Sequence, residues 1–249
     1  MKGYESLRGR ERAVVIGLCL IVALDVIAVI SSAAELSLLG RIERGDVVSD
    51  AEIDANDTRQ AAIGGIWFLL LLITAVFFIR WLRAAFRNTD VLAPGLRRHG
   101  HGWAIGGWFV PFLNLVRPKQ IVDDTWRADR SRVSPLLHVW WALWIVSNVA
   151  GQIAARRSFA AEEMDELKQT SVLYMIADAT DGIAALLAIL VVRRITRLQE
   201  ERAAAIAGAP PPEIPSDGEP PAAWNPPEPG GSVAPPGWAG APERPASPG

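Results

Sequence analysis

The sequence predicts an all-α integral membrane protein: a four-helix bundle with a short interfacial or re-entrant segment between helices 2 and 3, plus a disordered C-terminal tail. Half of the 249 residues are hydrophobic, and they are concentrated in blocks. Four of these blocks come close to the ~20 residues that a helix needs to cross a bilayer. Only helices are expected to cross, because a lone strand exposed to lipid leaves its backbone groups unpaired.

The four predicted spans form one membrane domain, residues 13–202, between an N-terminal segment, residues 1–12, and a tail, residues 203–249. The spans cover about residues 13–34, 61–79, 135–155 and 171–192. The first span could instead be a secretory signal, because Ser32-Ala33-Ala34 resembles a cleavage site. Its apolar stretch is longer than the roughly 7–15 residues of a signal core. This length favours a membrane span.

The distribution of Lys and Arg predicts the orientation of the chain. Basic residues accumulate in the loops that face the cytoplasm. If both termini and the loop 80–134 are cytoplasmic, 19 of the 25 basic residues lie inside. The opposite orientation would invert that ratio. We therefore expect a multi-pass protein with N- and C-termini in the cytoplasm.

The positions of the tryptophans agree with this predicted orientation. Seven of the ten are expected near the cytoplasmic ends of the predicted segments: Trp81, Trp103, Trp108, Trp126, Trp140, Trp141 and Trp144. An indole ring is apolar with one polar N–H, and such rings favour the level of the lipid headgroups. The sequence predicts an aromatic belt there.

The segment between spans 2 and 3 is apolar but too short to cross. Its run Trp103–Val116 would extend ~21 Å as a helix, against a hydrocarbon core of ~30 Å. Pro111 interrupts the run and Pro118 ends it. A short amphipathic helix should follow, with Ile121, Val122, Thr125 and Trp126 on one face and Lys119, Asp123, Asp124 and Arg127 elsewhere. Residues 103–130 are thus predicted to lie on the membrane surface or to form a re-entrant hairpin.

The tail differs from the rest of the chain. Fourteen of the eighteen prolines fall between Pro210 and Pro248. Such a segment cannot bury enough apolar surface to fold, so we expect a Pro-rich disordered arm. Trp224 and Trp238 could recruit a protein partner or promote weak self-association into a homo-oligomer; the alternative is a solvated arm with incidental tryptophans.

Three arginines leave span 2 on one face of a continuing helix: Arg80, Arg83 and Arg87. Beyond a cytoplasmic membrane boundary, such a face can contact the headgroups of membrane lipids. The alternative is a stop signal that fixes topology and has no specific ligand.

Five polar residues fall inside the spans at similar predicted depths: Asp25, Asn148, Gln152, Asp178 and Asp181. Charged groups are costly at mid-membrane, so they usually face the bundle and pair. The functional hypothesis is a cation or proton site lined by the three carboxylates. The alternative is neutral aspartates that fix helix packing through hydrogen bonds.

Three motifs carry a resemblance to a known family. The core motif is Gly107-Trp108-Phe109-x-Pro111-x-x-Asn114-x-x-x-Pro118, followed by Trp126. The upstream motif is Trp81-Leu82-x-x-Ala85-x-Arg87-Asn88. The ending motif is Arg193-x-Ile195-Thr196-x-x-Gln199-x-x-Arg202. Over roughly residues 13–202 the chain resembles the bacterial domain-of-unknown-function 4328 family, although Ala84 stands where a second basic residue is expected.

The resemblance implies a multi-pass protein of a bacterial cell membrane, often with a Pro/Gly-rich cytoplasmic tail, and it assigns no catalytic residue. The residues themselves indicate no enzyme, since no nucleophile–base pair is visible. No cofactor or metal is expected: Cys19 is the single cysteine, and His99 with His101 is a weak metal signal. The net charge of −2 gives no case for nucleic acid. Two classes remain open: a structural or interaction protein with a partner-recruiting tail, and a small transporter or channel component.

Overall fold

All regular structure in the described residues is helical, as predicted. The computed structural model describes residues 3–96, 98–129, 132–161 and 163–208. Six α-helices lie in these ranges: α1 (Arg8–Glu43), α2 (Asp50–Leu92), α3 (Trp103–Gly106), α4 (Arg117–Trp126), α5 (Pro135–Ser158) and α6 (Met164–Gly208). The predicted tail from residue 209 onward, with Trp224 and Trp238, lies outside the described residues.

Four of the helices, α1, α2, α5 and α6, are long and apolar enough to cross a membrane. Each contains one predicted span, so the four-helix prediction is confirmed. At 1.5 Å per residue, α1, α2 and α6 reach roughly 54 to 68 Å, about twice the thickness of the hydrocarbon core. These three helices therefore continue well beyond the membrane.

The long helices are arranged in the order α2–α1–α6–α5, because α1 packs on α2 and α6, and α6 packs on α5. Within their apolar segments, 44% of residues are buried in α6 and 39% in α1, against 22% in α5 and 6% in α2. The pair α1 and α6 thus forms the centre of the bundle. Side chains such as Phe68 and Leu69 on α2 are exposed, as expected of a surface that faces lipid.

Local sequence signals fix where the helices begin. Ser49 and Glu52 form a capping box: the Ser49 Oγ accepts from Glu52 N–H at 3.3 Å, and the Glu52 carboxylate accepts from Ser49 N–H at 3.1 Å. Arg41 donates to Glu52 at 2.8 Å across the α1–α2 turn. At α5, Ser134 caps the helix by accepting from Leu136 N–H, and Pro135 occupies the first helical position.

The segment between α2 and α5 forms the predicted short interfacial or re-entrant element. Helix α3 and a 3₁₀ turn at Leu113–Leu115 lead into α4. Phe109 and Phe112 are 73% and 85% exposed, whereas the Leu115 carbonyl accepts from Trp141 Nε1 on α5 at 2.9 Å. Phe112 has a φ of +62°, a strained conformation for a bulky residue. Apolar side chains held outward in this way are suited to insertion into lipid.

The prediction for α4 was wrong in one respect. Asp123 and Asp124 were expected to face away from the buried side, but they are 9% and 1% exposed. The loop after α2 covers Asp124, because Arg98 and His99 from that loop contact its carboxylate. Lys119 pairs with Asp123 at 2.8 Å within α4. Helix α4 is therefore enclosed on both faces.

The prediction of an aromatic belt also differs from the structure. Trp81, Trp126, Trp140 and Trp141 are 0 to 6% exposed, so they are core side chains. The rings of Trp81 and Trp140 pack on Phe78, and Trp140 packs on Trp141. Trp141 stacks on Trp144 with centroids 4.7 Å apart. Aromatic packing between segments, which no periodicity in one segment reveals, determines their positions.

Cysteine labelling tests how deep the α3–α4 hairpin lies. In a Cys19→Ser background, we expect Phe109→Cys and Phe112→Cys to react several-fold more slowly with a polar maleimide than Gly102→Cys. The reason is that both phenylalanines would be immersed in lipid, whereas Gly102 is an exposed position at the base of the hairpin. The measurement uses opened membranes, in which both faces are accessible. Equal rates at the three positions would place the hairpin in water.

Candidate functional site

The upstream and ending motifs meet at the end of the bundle that holds the N-terminal segment and the last turns of α6, which we call the terminal end. Trp81 on α2 is fully buried, and its Nε1 donates to Thr196 Oγ1 on α6 at 3.1 Å. Trp81 is among the largest fully buried side chains of the described residues. The contact is one of several that join α2 directly to α6 at this end of the bundle.

A second contact between the motifs is a buried amide pair. Asn88 Nδ2 donates to Gln199 Oε1 at 3.2 Å and to the Glu5 carbonyl at 2.8 Å, and Asn88 Oδ1 accepts from Glu5 N–H at 3.0 Å. Gln199 Nε2 donates to the carbonyls of Ala85 at 3.0 Å and Thr125 at 3.4 Å. Asn88 and Gln199 are each 1% exposed. This pair therefore connects the N-terminal segment, α2, α4 and α6.

The next residue of α6, Glu200, holds the start of α1. Its carboxylate accepts from Ser6 Oγ at 2.7 Å and from Leu7 N–H at 3.0 Å. Burial alone would raise the pKa of Glu200, but these hydrogen bonds lower the pKa below the ordinary value of 4.5. Leu7 is fully buried beside them.

The depressed pKa of Glu200 predicts a loss of stability in acid. The carboxylate contributes stability above its unfolded pKa, and that contribution is lost as pH falls through the lower folded pKa. As pH is lowered from above 4.5 to below it, we expect the melting temperature of the wild type to fall by more than that of Glu200→Gln. Glu201→Gln, at an exposed neighbour, is the control. A Glu200→Gln protein that retains the full pH dependence would contradict this assignment.

The core motif lies beside α2 and α5. A Cβ at Gly107 would stand 2.8 Å from the Trp103 carbonyl oxygen and 3.1 Å from Arg117 Cβ, so only glycine fits. The Trp108 ring packs edge-on against Phe78 and Trp144, with centroids 5.7 and 5.9 Å apart. Trp108 of the core motif thus contacts both α2 and α5.

The remaining core-motif residues lie in or next to the hairpin that is formed by α3, the 3₁₀ turn and α4. Pro118 is buried in the first turn of α4, and Pro111 is exposed near the tip. The Asn114 backbone N–H donates to the Val110 carbonyl at 3.0 Å, so the backbone of Asn114 closes this turn. Trp126 Nε1 donates to the Arg132 carbonyl at 3.1 Å and fixes the entry to α5.

The three arginines after span 2 lie on one exposed face of α2. Arg87 pairs with Glu5, which also accepts from Arg10 at 2.9 Å. Arg80 and Arg83 have no ion pair among the described residues. Arg87 is therefore part of the N-terminal contact, and the other two point outward.

The two histidines of the loop after α2 face different carboxylates. His99 Nδ1 is 3.6 Å from Asp124, and His101 Nε2 is 3.1 Å from Asp90. In the part of the chain that the structure describes, no group of three or more His, Cys, Asp and Glu residues could hold a metal ion.

Three of the five polar residues inside the spans come together between α1 and α6. Asp25 is 2% exposed, and its Oδ1 accepts from Trp67 Nε1 at 3.1 Å. A Cβ at Gly182 would be 3.5 Å from Asp25 Oδ2, so the carboxylate lies directly against α6. Asp178 and Asp181 are close enough to Asp25 to interact with it electrostatically.

The other two polar residues do not join this carboxylate cluster, which consists of Asp25, Asp178 and Asp181. Asn148 is exposed and donates to the Trp144 carbonyl at 2.7 Å, and Gln152 is exposed on the same helix. Instead, α5 contributes Ser147, whose Oγ donates to Asp181 Oδ1 at 3.1 Å. Packing of the tryptophans at the start of α5 turns Ser147, and not Asn148, toward α6.

A polar cluster that was not predicted from the sequence lies at the opposite end of the bundle. Glu35 on α1 accepts from Gln60 Nε2 on α2 at 2.8 Å and from Ser171 Oγ on α6 at 2.9 Å. Arg59 Nε donates to Ser31 Oγ at 2.8 Å. The i, i+4 spacing of Ser31 and Glu35 was a usable signal, because it places both on one helical face.

Comparisons with known proteins agree with the motifs. Searches of curated proteins and of solved structures found no match. A family model described as a domain of unknown function, DUF4328, matches residues 44–197. This range contains the upstream and core motifs and most of the ending motif, and it leaves out α1 and Gln199. Because the match covers more than half of the 249 residues, the chain belongs to the DUF4328 family.

Proposed function

We propose that the protein is a structural or interaction protein of a bacterial cell membrane, with both termini in the cytoplasm, whose helical bundle anchors a partner-recruiting tail. The observation that supports the proposal most is the terminal end. Gln199 and Glu200, close to where α6 ends at Gly208, are bonded to the N-terminal segment, α2 and α4. The bundle therefore holds the starting point of the tail in a fixed position.

Charge supports the orientation in this proposal. The terminal end lies beside the arginines of α2 and α6, and 19 of the 25 basic residues fall in segments assigned to its side. Basic residues favour the cytoplasmic side of a membrane. A tail that starts at this end would be delivered to the cytoplasm.

The composition of the tail supports an interaction role. Pro-rich segments are extended and lose little conformational entropy on binding, so they are suited to recognition. Trp224 and Trp238 would supply large apolar contacts to a protein partner or to another copy of this chain.

Truncation after Gly208 tests the proposal in a strain that shows a phenotype without the protein. The truncated chain should fail to restore that phenotype. A full-length chain with Trp224→Ala and Trp238→Ala keeps the length and the prolines and should also fail. The wild-type chain is the positive control, and membrane levels are compared by immunoblot. If the truncated chain restores the phenotype fully, the tail is not the functional part.

A second candidate function is a small transporter or channel component that uses the carboxylate cluster. One observation favours it: Asp25 Oδ2 is buried and has no hydrogen-bond partner among the described residues. A carboxylate oxygen left unpaired between α1 and α6 could accept a proton or a cation.

Replacing Asp25, Asp178 and Asp181 together by Asn tests the second candidate. Proton and sodium flux are measured in proteoliposomes that contain the full chain. The triple variant should lose the flux, and Asn148→Ala, at an exposed polar position of α5, should retain it. If the wild type carries no more proton or sodium flux than empty vesicles, the transporter hypothesis fails for these ions.

A further inference from the structure

An open groove at the terminal end combines an apolar wall with a concentration of arginines. Its volume is about 620 Å³. Four guanidinium groups line it: Arg132 from the loop before α5, and Arg193, Arg194 and Arg197 from α6. All four arginines are exposed, so their charges are available to a ligand.

The positive charge of the groove is poorly compensated within the protein. Among the residues that the structure describes, Arg197 forms one ion pair, with Glu201 at 3.7 Å, and both side chains are more than half exposed. Arg193 and Arg197 are one helical turn apart, where like charges repel. Among the described residues, Arg132, Arg193 and Arg194 have no ion pair within 4.0 Å, although Glu11 lies near enough to Arg193 to interact electrostatically. An anionic ligand would relieve this repulsion.

The fold holds the two sides of the groove together. Trp126 on α4 lines the groove and donates from Nε1 to the Arg132 carbonyl at 3.1 Å, which keeps the Arg132 loop opposite α6. Ser134, the N-cap of α5, also lines it. The start of a 24-residue helix therefore adds partial positive charge to the arginines.

The apolar wall indicates what kind of anion would fit. Leu190 lies one turn before the α6 arginines, inside the apolar span, and is 52% exposed. Leu136 lies in the first turn of α5 on the other side. The groove thus runs from the end of the apolar spans to a set of guanidinium groups, which bind phosphate oxygens in pairs.

We propose that this groove binds a phosphate group, and that an anionic phospholipid carries it, with its acyl chains along Leu190 and its headgroup among the arginines. This site is separate from the exposed stripe of α2. Arg80 and Arg83 belong to that stripe and do not line this groove. The stripe therefore provides a control of equal charge.

Native mass spectrometry of the full chain in detergent tests the proposal, because single bound lipids can be counted without a membrane surface potential. The probes are phosphatidylglycerol and the zwitterionic phosphatidylcholine. The wild type should retain more phosphatidylglycerol than phosphatidylcholine. The double variant Arg132→Gln/Arg194→Gln should bind phosphatidylglycerol at least ~10-fold more weakly, because it loses two of the guanidinium groups that would donate charge-assisted hydrogen bonds to the phosphate oxygens. Arg80→Gln/Arg83→Gln, with the same loss of charge, should change binding less than about threefold, because exposed charges outside the groove interact only weakly with a bound lipid.

Three results would overturn the proposal. Equal loss in the two double variants would show non-specific attraction to net charge. Equal retention of the two lipids by the wild type would show no headgroup preference. Displacement of phosphatidylglycerol by inorganic phosphate at equal concentration would show that the groove takes free phosphate and not lipid. If the double variant of the groove does not fold, the single variants Arg194→Lys and Arg194→Gln are compared by native mass spectrometry with phosphatidylglycerol. Both must weaken binding of the lipid, and Arg194→Gln must weaken it more than Arg194→Lys.

Discussion

Replacing Gln199 by Leu is expected to lower the free energy of unfolding by about 2–4 kcal/mol. Leucine has a similar size but no amide, so the Asn88 Nδ2 donor and the Thr125 carbonyl lose a bonding partner in a site where Gln199 is 1% exposed. A buried polar group that loses its partner costs about 1–3 kcal/mol. The measurement is reversible unfolding of the purified protein in mixed micelles.

The control is Glu201→Leu, two residues further along α6, where the side chain is exposed. It should change the stability by no more than about 0.5 kcal/mol. In a double-mutant cycle, Asn88→Ala and Gln199→Ala should couple by about 0.5–3 kcal/mol. Additive effects of the two substitutions would mean that the Asn88–Gln199 contact does not link α2 to α6.

Replacing Gly17 by Ala is expected to separate α1 from α2. A Cβ at position 17 would stand 2.5 Å from Thr74 Oγ1 and 3.0 Å from Thr74 Cγ2, and Thr74 is 3% exposed. Helices in membranes approach most closely where small residues meet, and overpacking typically costs about 1–3 kcal/mol. The same unfolding assay should show a loss in this range.

Gly65→Ala is the matched control, because Gly65 lies in the apolar part of α2 with no atom within 4 Å of its added Cβ. It should be neutral or stabilising by about 0.5–1 kcal/mol. Thr74→Ala removes both clashing atoms and should restore much of the stability lost in Gly17→Ala. If Thr74→Ala gives no recovery, the contact between α1 and α2 is not as close as described.

The membrane fold could be predicted because the signals for it are local. Blocks of apolar residues mark the spans, and the charge pattern suggests an orientation. The proline positions mark the hairpin: Pro118 lies in the first turn of α4 and Pro135 begins α5. Likewise, Asp25 could be placed among buried groups, because a carboxylate inside a span is too costly to leave in lipid.

The contacts that build the terminal end could not be predicted, because they join residues distant in the sequence. Trp81 and Thr196 are 115 residues apart, and Asn88 and Gln199 are 111 apart. The helical pattern places Asp124 away from the face of Ile121 and Trp126, and no local pattern shows that Arg98 covers it there. The position of Asn148 in the sequence predicts its depth in the membrane but not which side of α5 faces α6. Packing places Ser147 on that side, and Asn148 is exposed.

In the proposed function, the bundle anchors a tail that recruits a partner. Proximity labelling in the native cell, with the labelling enzyme fused to the N-terminus, compares the full chain with the chain ended after Gly208. We predict a set of proteins that the full chain labels, that is lost on truncation, and that persists when Asp25, Asp178 and Asp181 are replaced by Asn. An identical set of labelled proteins with and without the tail would contradict the claim.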